Sequence, residues 1–246
     1  MPEFRRLALF DLDHTLLPID SDYSWADFLA RTGRAGDPQE AVRRNEELME
    51  KYTAGRLTAQ EGAEFMLGLL ARHDPADLAA WHEEFMRVVI RPAIRPEALT
   101  LVREHLRAGD LCAIVTATNS FVTAPIARAF GVQHLLATEP AFEAGRYTGK
   151  IAGIACFQEG KVTRVRQWLD ALGLALDAFE QSYFYSDSVN DVPLLESVTH
   201  PVATNPGAGL RSIALSRGWR ILDLFTQEQV DAAVATTAPP DQQQEC

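Results

Sequence analysis

Arg6-Leu7-Ala8-Leu9-Phe10-Asp11-Leu12-Asp13-His14-Thr15-Leu16-Leu17 is the stretch from which the fold can be read. A short apolar run ends abruptly in two carboxylates, Asp11 and Asp13, spaced two apart. A run this short, without polar alternation, reads as a buried strand over residues 6–11. Far along the chain a second run also ends in acids: Tyr185-Ser186-Asp187-Ser188-Val189-Asn190-Asp191. Strands of one parallel sheet would bring both acidic groups to its carboxyl edge, where open α/β sheets hold their ligands.

Working outward, the texture changes after Leu17. From Ser21 to about residue 90, strand signals vanish and helical periodicity takes over. Helix starts are expected at Ser21/Asp22, Asp37-Pro38, Thr58 and Asp74-Pro75, where a capping side chain precedes the run or Pro opens it. Gly33, Gly36 and Gly55 punctuate about four helices, a bundle inserted after the first strand. Pro92 and Pro96 bar a continuous helix and mark an exit linker. Helices are then expected over 97–108, 123–130 and 161–172, with a short one over 189–197. Strands are expected over 111–116, 182–186, 201–203 and 220–222, with a β-hairpin within 135–152. This alternation argues for an α/β protein with a Rossmann-like parallel sheet. The expected division is a discontinuous core of residues 1–18 and 92–226, a helical cap of 19–91, and a frayed tail over 227–246.

The chain has 246 residues, 47% of them hydrophobic, enough for a substantial core. Its net charge of -11 disfavours nucleic acid or an anionic membrane as partner, since both select a basic face. A small anionic molecule is still admissible, because a local site can be positive. Three cysteines (Cys112, Cys156, Cys246) form no CxxC pair, and the odd count fits a reducing compartment. The six histidines lack zinc-ligand spacing. No signal peptide is evident and no apolar stretch nears the roughly 20 residues of a membrane helix. The expectation is a soluble cytoplasmic protein, of oligomeric state the sequence leaves open.

Asp11-Leu-Asp13-His-Thr15, Thr116, Lys161 and Asp187-Ser-Val-Asn190-Asp191 occur in the order of the four motifs of the haloacid dehalogenase (HAD) superfamily. The resemblance runs to about Phe225, and the insertion after the first motif resembles the C1 cap of the branch containing phosphoserine phosphatases. It implies a Mg²⁺-dependent phosphomonoesterase acting on a small-molecule phosphate ester through an aspartyl-phosphate. The residues suit that chemistry: an ionised carboxylate at Asp11 needs no base to attack, and a second acid can move the proton. The resemblance implies that Asp13 protonates the leaving alcohol and then activates water, and that Lys161 neutralises the charge on Asp11 and the phosphate. It implies metal contacts from Asp11, the Asp13 backbone carbonyl and Asp187, with Asp191 behind them. Thr116, Ala117, Thr118 and Asn119 would hold phosphate, and Asn190 would contact the phosphate or the nucleophile loop. The superfamily often has Gly where Ser186 and Ser188 stand, so a cost in backbone freedom is expected.

For the leaving group, the resemblance points to Asp20, with Asp22 nearby, where phosphoserine phosphatases meet the substrate amine. Matching Ala54-Gly55-Arg56-Leu57 to their cap turn puts Glu64 where they use an Arg for the substrate carboxylate, and an acid there repels a carboxylate. Ser21-Asp-Tyr-Ser-Trp25, Thr116-Ala-Thr-Asn and Cys156-Phe-Gln further resemble the bacterial HAD-type histidinol-phosphate phosphatases. Histidinol carries an amine and an imidazole but no carboxylate. Asp20 and Asp22 are equally readable as helix-capping acids. Trp25, Phe28, Phe65, Trp81 and Phe85 read either as cap core or as a surface that stacks on a ring. Competing readings are a phosphoserine or other small-metabolite phosphatase, a phosphotransferase, and a non-catalytic binding protein that keeps the fold.

Overall fold

The structure, a computed structural model, describes residues 4–53 and 59–237. Its centre is β1 (Arg6–Phe10), whose five residues sit between β2 (Leu111–Asn119) and β5 (Gln181–Ser186) and run parallel to both. Beyond β2 lies β3 (His134–Glu143), parallel to it, and then β4 (Arg146–Ala152), antiparallel. Beyond β5 lie β6 (His200–Thr204) and β7 (Arg220–Leu222), both parallel. The sheet order is β4-β3-β2-β1-β5-β6-β7.

Side-chain alternation along β1 explains why its run is apolar throughout. Ala8 and Phe10 enter one core with Cys112, Ile114 and Tyr185, while Leu7 and Leu9 enter another with Ala113, Val115 and Phe184. The second face is covered by α8 (Glu159–Ala171), α9 (Val192–Leu195) and α10 (Ala208–Arg217), through Val165, Leu169, Leu194, Leu195, Leu210 and Ala214. The helices that follow β1 begin with α1 (Ser21–Arg31), α2 (Pro38–Thr53), α3 (Ala59–Ala71) and α4 (Pro75–Phe85). Leu12, Leu16, Leu17 and Ile19 make one apolar cluster out of the first sheet face and these helices' Trp25, Leu29, Leu70 and Phe85. Asp20 and Asp74 cap α1 and α4 as the spacing predicts, accepting from Tyr23 N and Ala76 N. The expected turn Ala54-Gly55-Arg56-Leu57 and the helix start at Thr58 lie outside the described residues.

The structure corrects several boundaries. Pro92 does not end the helical path: α4 passes through a π turn (Met86–Ile90) into α5 (Arg91–Ala93), and the break falls at Ile94, with φ −67° and ψ 120°. The wider turn, closed by Arg91 N–H on the Met86 carbonyl, takes up the ring that a regular α turn would meet with a clash. After it come α6 (Pro96–Arg107) and α7 (Ser120–Phe130). The strand expected over 111–116 continues to Asn119, which caps α7 by accepting from Val122 N, so that helix begins three residues early. The tail is not frayed from residue 227. There α11 (Gln227–Thr237) forms, an Ala- and Val-bearing segment of good helix propensity, with Ala233 1% exposed and Arg95 Nη2 donating to the Gln229 carbonyl at 3.0 Å. Cys112 and Cys156 are buried thiols; Cys246 lies outside the described residues. Among the described residues no helix is long and apolar enough to cross a membrane.

The turn into α8 sets where Lys161 stands. Gln158 takes the left-handed region at φ 49°, and a Cβ on Gly160 would stand 2.1 Å from the Ala155 carbonyl oxygen. Backbone must therefore move to admit any side chain at Gly160. Gly160→Ala is expected to cost about 1–3 kcal/mol, read as a lower midpoint in urea unfolding; an unchanged midpoint contradicts this packing.

Candidate active site

The carboxyl ends of β1, β2 and β5 gather the site, with β2 running on past the position opposite Phe10. Asp11 follows β1 directly, its N–H donating to the Tyr185 carbonyl at 2.9 Å, so strand pairing fixes its position. Its carboxylate is 6% exposed. One oxygen receives the Lys161 ammonium at 2.7 Å, and the other receives the Thr15 hydroxyl at 3.1 Å. Lys161, in the first turn of α8, also donates to Asp191 Oδ2 at 2.7 Å. Burial works against the Lys161 charge, but Asp11 and Asp191 outweigh it and hold the ammonium's pKa above its ordinary value.

The second acid is arranged differently. Asp13 Oδ1 accepts from the Ser21 N–H at 2.7 Å, and Oδ2 accepts from the Thr118 hydroxyl at 2.8 Å. Burial, and then the charge of Asp20, push its carboxyl up to about 6. In the first turn of α1, Asp22 Oδ1 accepts from Asn119 Nδ2 at 2.9 Å. Burial, then Asp20 and Asp13, push the Asp22 carboxyl well above the usual range. Three carboxylates thus share the junction of α1 with β2, and no Lys or Arg among the described residues pairs with any of them.

Thr15 is the residue that the sequence named without a task. Its hydroxyl lies 3.1 Å from Asp11 Oδ2 and 3.2 Å from Asp187 Oδ1, and its oxygen accepts the Asp187 N–H at 3.1 Å. A hydroxyl has one hydrogen, so it can satisfy only one of those two carboxylates at a time. Burial, and then the charge of Asp11, push the Asp187 carboxyl up to about 7. Two facing carboxylates short of positive charge fit a hard divalent cation, which takes one or two carboxylates and keeps several waters. Among the described residues no group of three or more His, Cys, Asp or Glu gathers with metal-binding geometry; a site of that kind does not require one.

The motif around Asp187 departs from expectation in detail. A spacing of four, as between Asp187 and Asp191, reads in sequence as one face of a helix start. A 3₁₀ turn (Val189–Asp191) instead leaves Asp187 beside Thr15 and sends Asp191 to Lys161 and to Ser186, whose hydroxyl donates at 2.7 Å. Asn190 Oδ1 accepts from Gln158 Nε2 at 3.2 Å, tying this loop to the turn before α8. The serines cost no backbone freedom, since neither takes the left-handed region. Both are used: Ser186 Oγ accepts from Ser188 N at 3.1 Å, and Ser188 Oγ accepts from Asn190 N at 3.2 Å.

Thr116 is 1% exposed, and its hydroxyl oxygen accepts the Thr118 N–H at 3.2 Å, leaving its hydrogen for another partner. Ala117 is the one exposed residue of β2. Asp20 caps α1, while Glu64 is exposed on α3, a helix that packs chiefly on β4. Of the cap aromatics, Trp25 and Phe85 are fully buried, with ring centroids 5.2 Å apart, and Phe28 stacks on Trp25 at 5.8 Å. Phe65 and Trp81 pack against the same core. The core reading is the one the packing supports for all five.

Comparison with known proteins adds four findings. A model of the haloacid dehalogenase-like hydrolase family matches residues 8–196. A histidinol-phosphatase of Neisseria meningitidis serogroup C (strain 8013) is 40% identical over 220 residues, covering 89% of this chain and 99% of that one. The crystal structure of a protein with unknown function from Bordetella pertussis Tohama I superposes with a TM-score of 0.88 at 72% identity, covering 90% of this chain and 100% of that one. A substrate-bound phosphoserine phosphatase complex superposes with a TM-score of 0.65 at 15% identity, covering 94% and 99%, a likeness of fold.

The raised carboxyls fix the sign of a pH dependence. Asp13 and Asp187 hold protons in the folded chain up to about 6 and about 7, well above the roughly 3.9 of an unfolded Asp. The stability they contribute is complete below the unfolded value and is lost as pH rises through the folded ones. In chelator, calorimetry is expected to give a Tm several degrees higher at pH 5 than at pH 8. Asp187→Asn is expected to raise the pH 8 value and flatten the profile. A wild-type Tm that climbs from pH 5 to pH 8 contradicts the charge assignment.

Proposed function

We propose a phosphatase activity for this chain, which belongs to the haloacid dehalogenase-like hydrolase family: hydrolysis of a small cationic phosphomonoester, with histidinol phosphate as the substrate. The observation that carries it is the pairing of Asp11, gripped by Lys161 and Thr15, with Asp13 two residues on, whose carboxyl is pushed up to about 6. One acid is bonded to an ammonium and a hydroxyl, the other has its carboxyl raised by burial, and such a difference is what a nucleophile and a proton donor need.

In this reading Asp11 attacks phosphorus and forms an aspartyl-phosphate. Asp13, oriented by the Ser21 N–H and the Thr118 hydroxyl, gives its proton to the leaving alcohol. It then takes one from the water that attacks the same phosphorus, which frees phosphate and restores Asp11. Lys161 holds positive charge against Asp11 and the incoming dianion. The Thr116 hydroxyl, the Ala117–Asn119 end of β2 and Asn190 are assigned to the phosphate and the loop around it. Asp11, the Asp13 carbonyl and Asp187, with Asp191 behind them, would hold Mg²⁺, which members of this family generally use and which supplies charge screening for the phosphate oxygens.

Substrate choice rests on the unpaired acids. Asp20 and Asp22 stand beside Asp13 with no cation of the protein's own, which favours a leaving group that brings one. The 40% identical relative bears the name histidinol-phosphatase, in keeping with a substrate that has amine and imidazole but no carboxylate. Glu64, an acid exposed on α3, is assigned as the cap residue that disfavours a carboxylate on the leaving group.

A phosphate-release assay with Mg²⁺ is the test. The kcat/KM for histidinol phosphate is expected to exceed that for phosphoserine by roughly tenfold or more, and Asp11→Asn is expected to abolish turnover of both. Preference for phosphoserine removes the substrate assignment; an active Asp11→Asn removes the mechanism; an inactive wild type across a broad ester panel removes the phosphatase.

A further inference from the structure

The loop that carries Asp11 and Asp13 is tied down from a place the motifs do not reach. Residues 12–17 turn tightly: the Thr15, Leu16 and Leu17 N–H groups all point at the Leu12 carbonyl, at 3.3, 2.9 and 2.9 Å. Within that turn His14 takes the left-handed region, at φ 57°. A left-handed residue without glycine's freedom is unfavourable, and it persists only when its surroundings hold it.

Asn205, at the end of β6 and 190 residues away, supplies the hold. Its side-chain amide donates to the His14 carbonyl at 3.0 Å and to the Thr15 carbonyl at 3.2 Å. The other end of the same amide accepts from Leu224 N at 2.6 Å and Phe225 N at 3.0 Å, while its own backbone N–H donates to the Leu222 carbonyl at 2.8 Å. All the side chain's hydrogen-bonding groups are thus committed to backbone, two bonds on each side. Asn205 is itself left-handed, at φ 48°, directly before Pro206, where the following ring normally drives a residue into the extended region. Two unfavourable backbone positions therefore face one another, joined by one amide.

We propose that Asn205 is a positioning residue for the nucleophile loop, setting the direction of Asp11, Asp13 and Thr15 by clamping the His14 and Thr15 carbonyls to the segment between β7 and α11. The inference rests on the phosphatase reading for its kinetic consequence and on geometry alone for its structural one. The residues on either side of the clamped carbonyls hold the groups that matter: Asp13 supplies the proton, and the Thr15 hydroxyl bridges Asp11 and Asp187. A shift of the loop disturbs all of these together. Substrate contacts at Asp20, Asp22 and β2 lie outside the clamp, so the cost falls on kcat rather than on KM.

Asn205→Asp is the variant of choice. It keeps the shape, the tolerance of the left-handed region and the acceptor for Leu224 and Phe225, and it removes both donors to the loop. Val202→Ala, which trims a buried side chain of β6 and leaves the Asn205 hydrogen bonds in place, serves as a control for lost stability. Expected for Asn205→Asp are a fall in kcat of roughly ten- to hundredfold with KM changed less than about threefold, and faster hydrogen exchange of the amides of residues 14–17. Val202→Ala is expected to lower Tm with kcat and that exchange unchanged. Wild-type kcat and wild-type exchange in Asn205→Asp overturn the proposal, as does an equal loss of kcat in Val202→Ala. The exchange measurement needs no substrate, so an inactive wild type sinks the phosphatase reading while leaving the clamp to be judged by exchange alone.

Discussion

One ammonium group buried between two carboxylates is the contact on which the site depends. Lys161 is 3% exposed and bonds Asp11 and Asp191 at 2.7 Å each. Breaking such a group by removing one member typically costs about 3–5 kcal/mol, because a charge is left buried and unpaired. The same pairing seldom out-stabilises an apolar replacement. Its presence is therefore better explained by what it does for Asp11, whose Oδ1 it holds in place beside a positive charge, than by stability. The surrounding elements are arranged to make the contact possible. β1 and β5 end level, which places Asp11 and the Asp187 loop side by side. The strained turn before α8 and the side-chain-free Gly160 bring Lys161 up between them.

Around that centre, negative charge is in excess. Asp11 and Asp187 share one hydroxyl hydrogen from Thr15, and Asp13, Asp20 and Asp22 crowd where α1 meets β2. Folding brings these groups together at a cost which protonation, a bound cation or a cationic substrate relieves. The chain thus trades stability of the empty site for affinity toward positive charge, in two adjacent places with different tasks. Beside Asp11 the missing charge suits a divalent metal; beside α1 it suits a cationic group, which the proposed function assigns to the leaving group.

The parts legible in sequence were those set by local rules. The apolar run over 6–10 could only be a strand buried on both faces, and acids at its end belong at the carboxyl edge of a parallel sheet. Caps at Asp20 and Asp74 were readable because a short acid before a helical run accepts the first free N–H groups. Contacts that join distant segments through backbone were not readable. The Ser21 N–H on Asp13 and the Asn205 amide on the His14 carbonyl leave no pattern in residue types. Pro92 misled because proline excludes a regular α turn and not the wider π turn before it. The tail misled because α11 is held by small residues and one arginine rather than by large apolar side chains. Ser186 and Ser188 read as a loss of flexibility, whereas their hydroxyls brace the loop in ordinary backbone conformations.

The central claim is that Asp11 itself takes the phosphoryl group. Acid quenching during steady turnover of histidinol phosphate with Mg²⁺, followed by borohydride reduction and peptide mass spectrometry, tests it most directly, since reduction converts an aspartyl-phosphate to homoserine. The account predicts homoserine at position 11 and at no other aspartate, appearing only when substrate is present. Turnover with an unmodified Asp11, or with the modification at Asp13 or Asp187 instead, would contradict it.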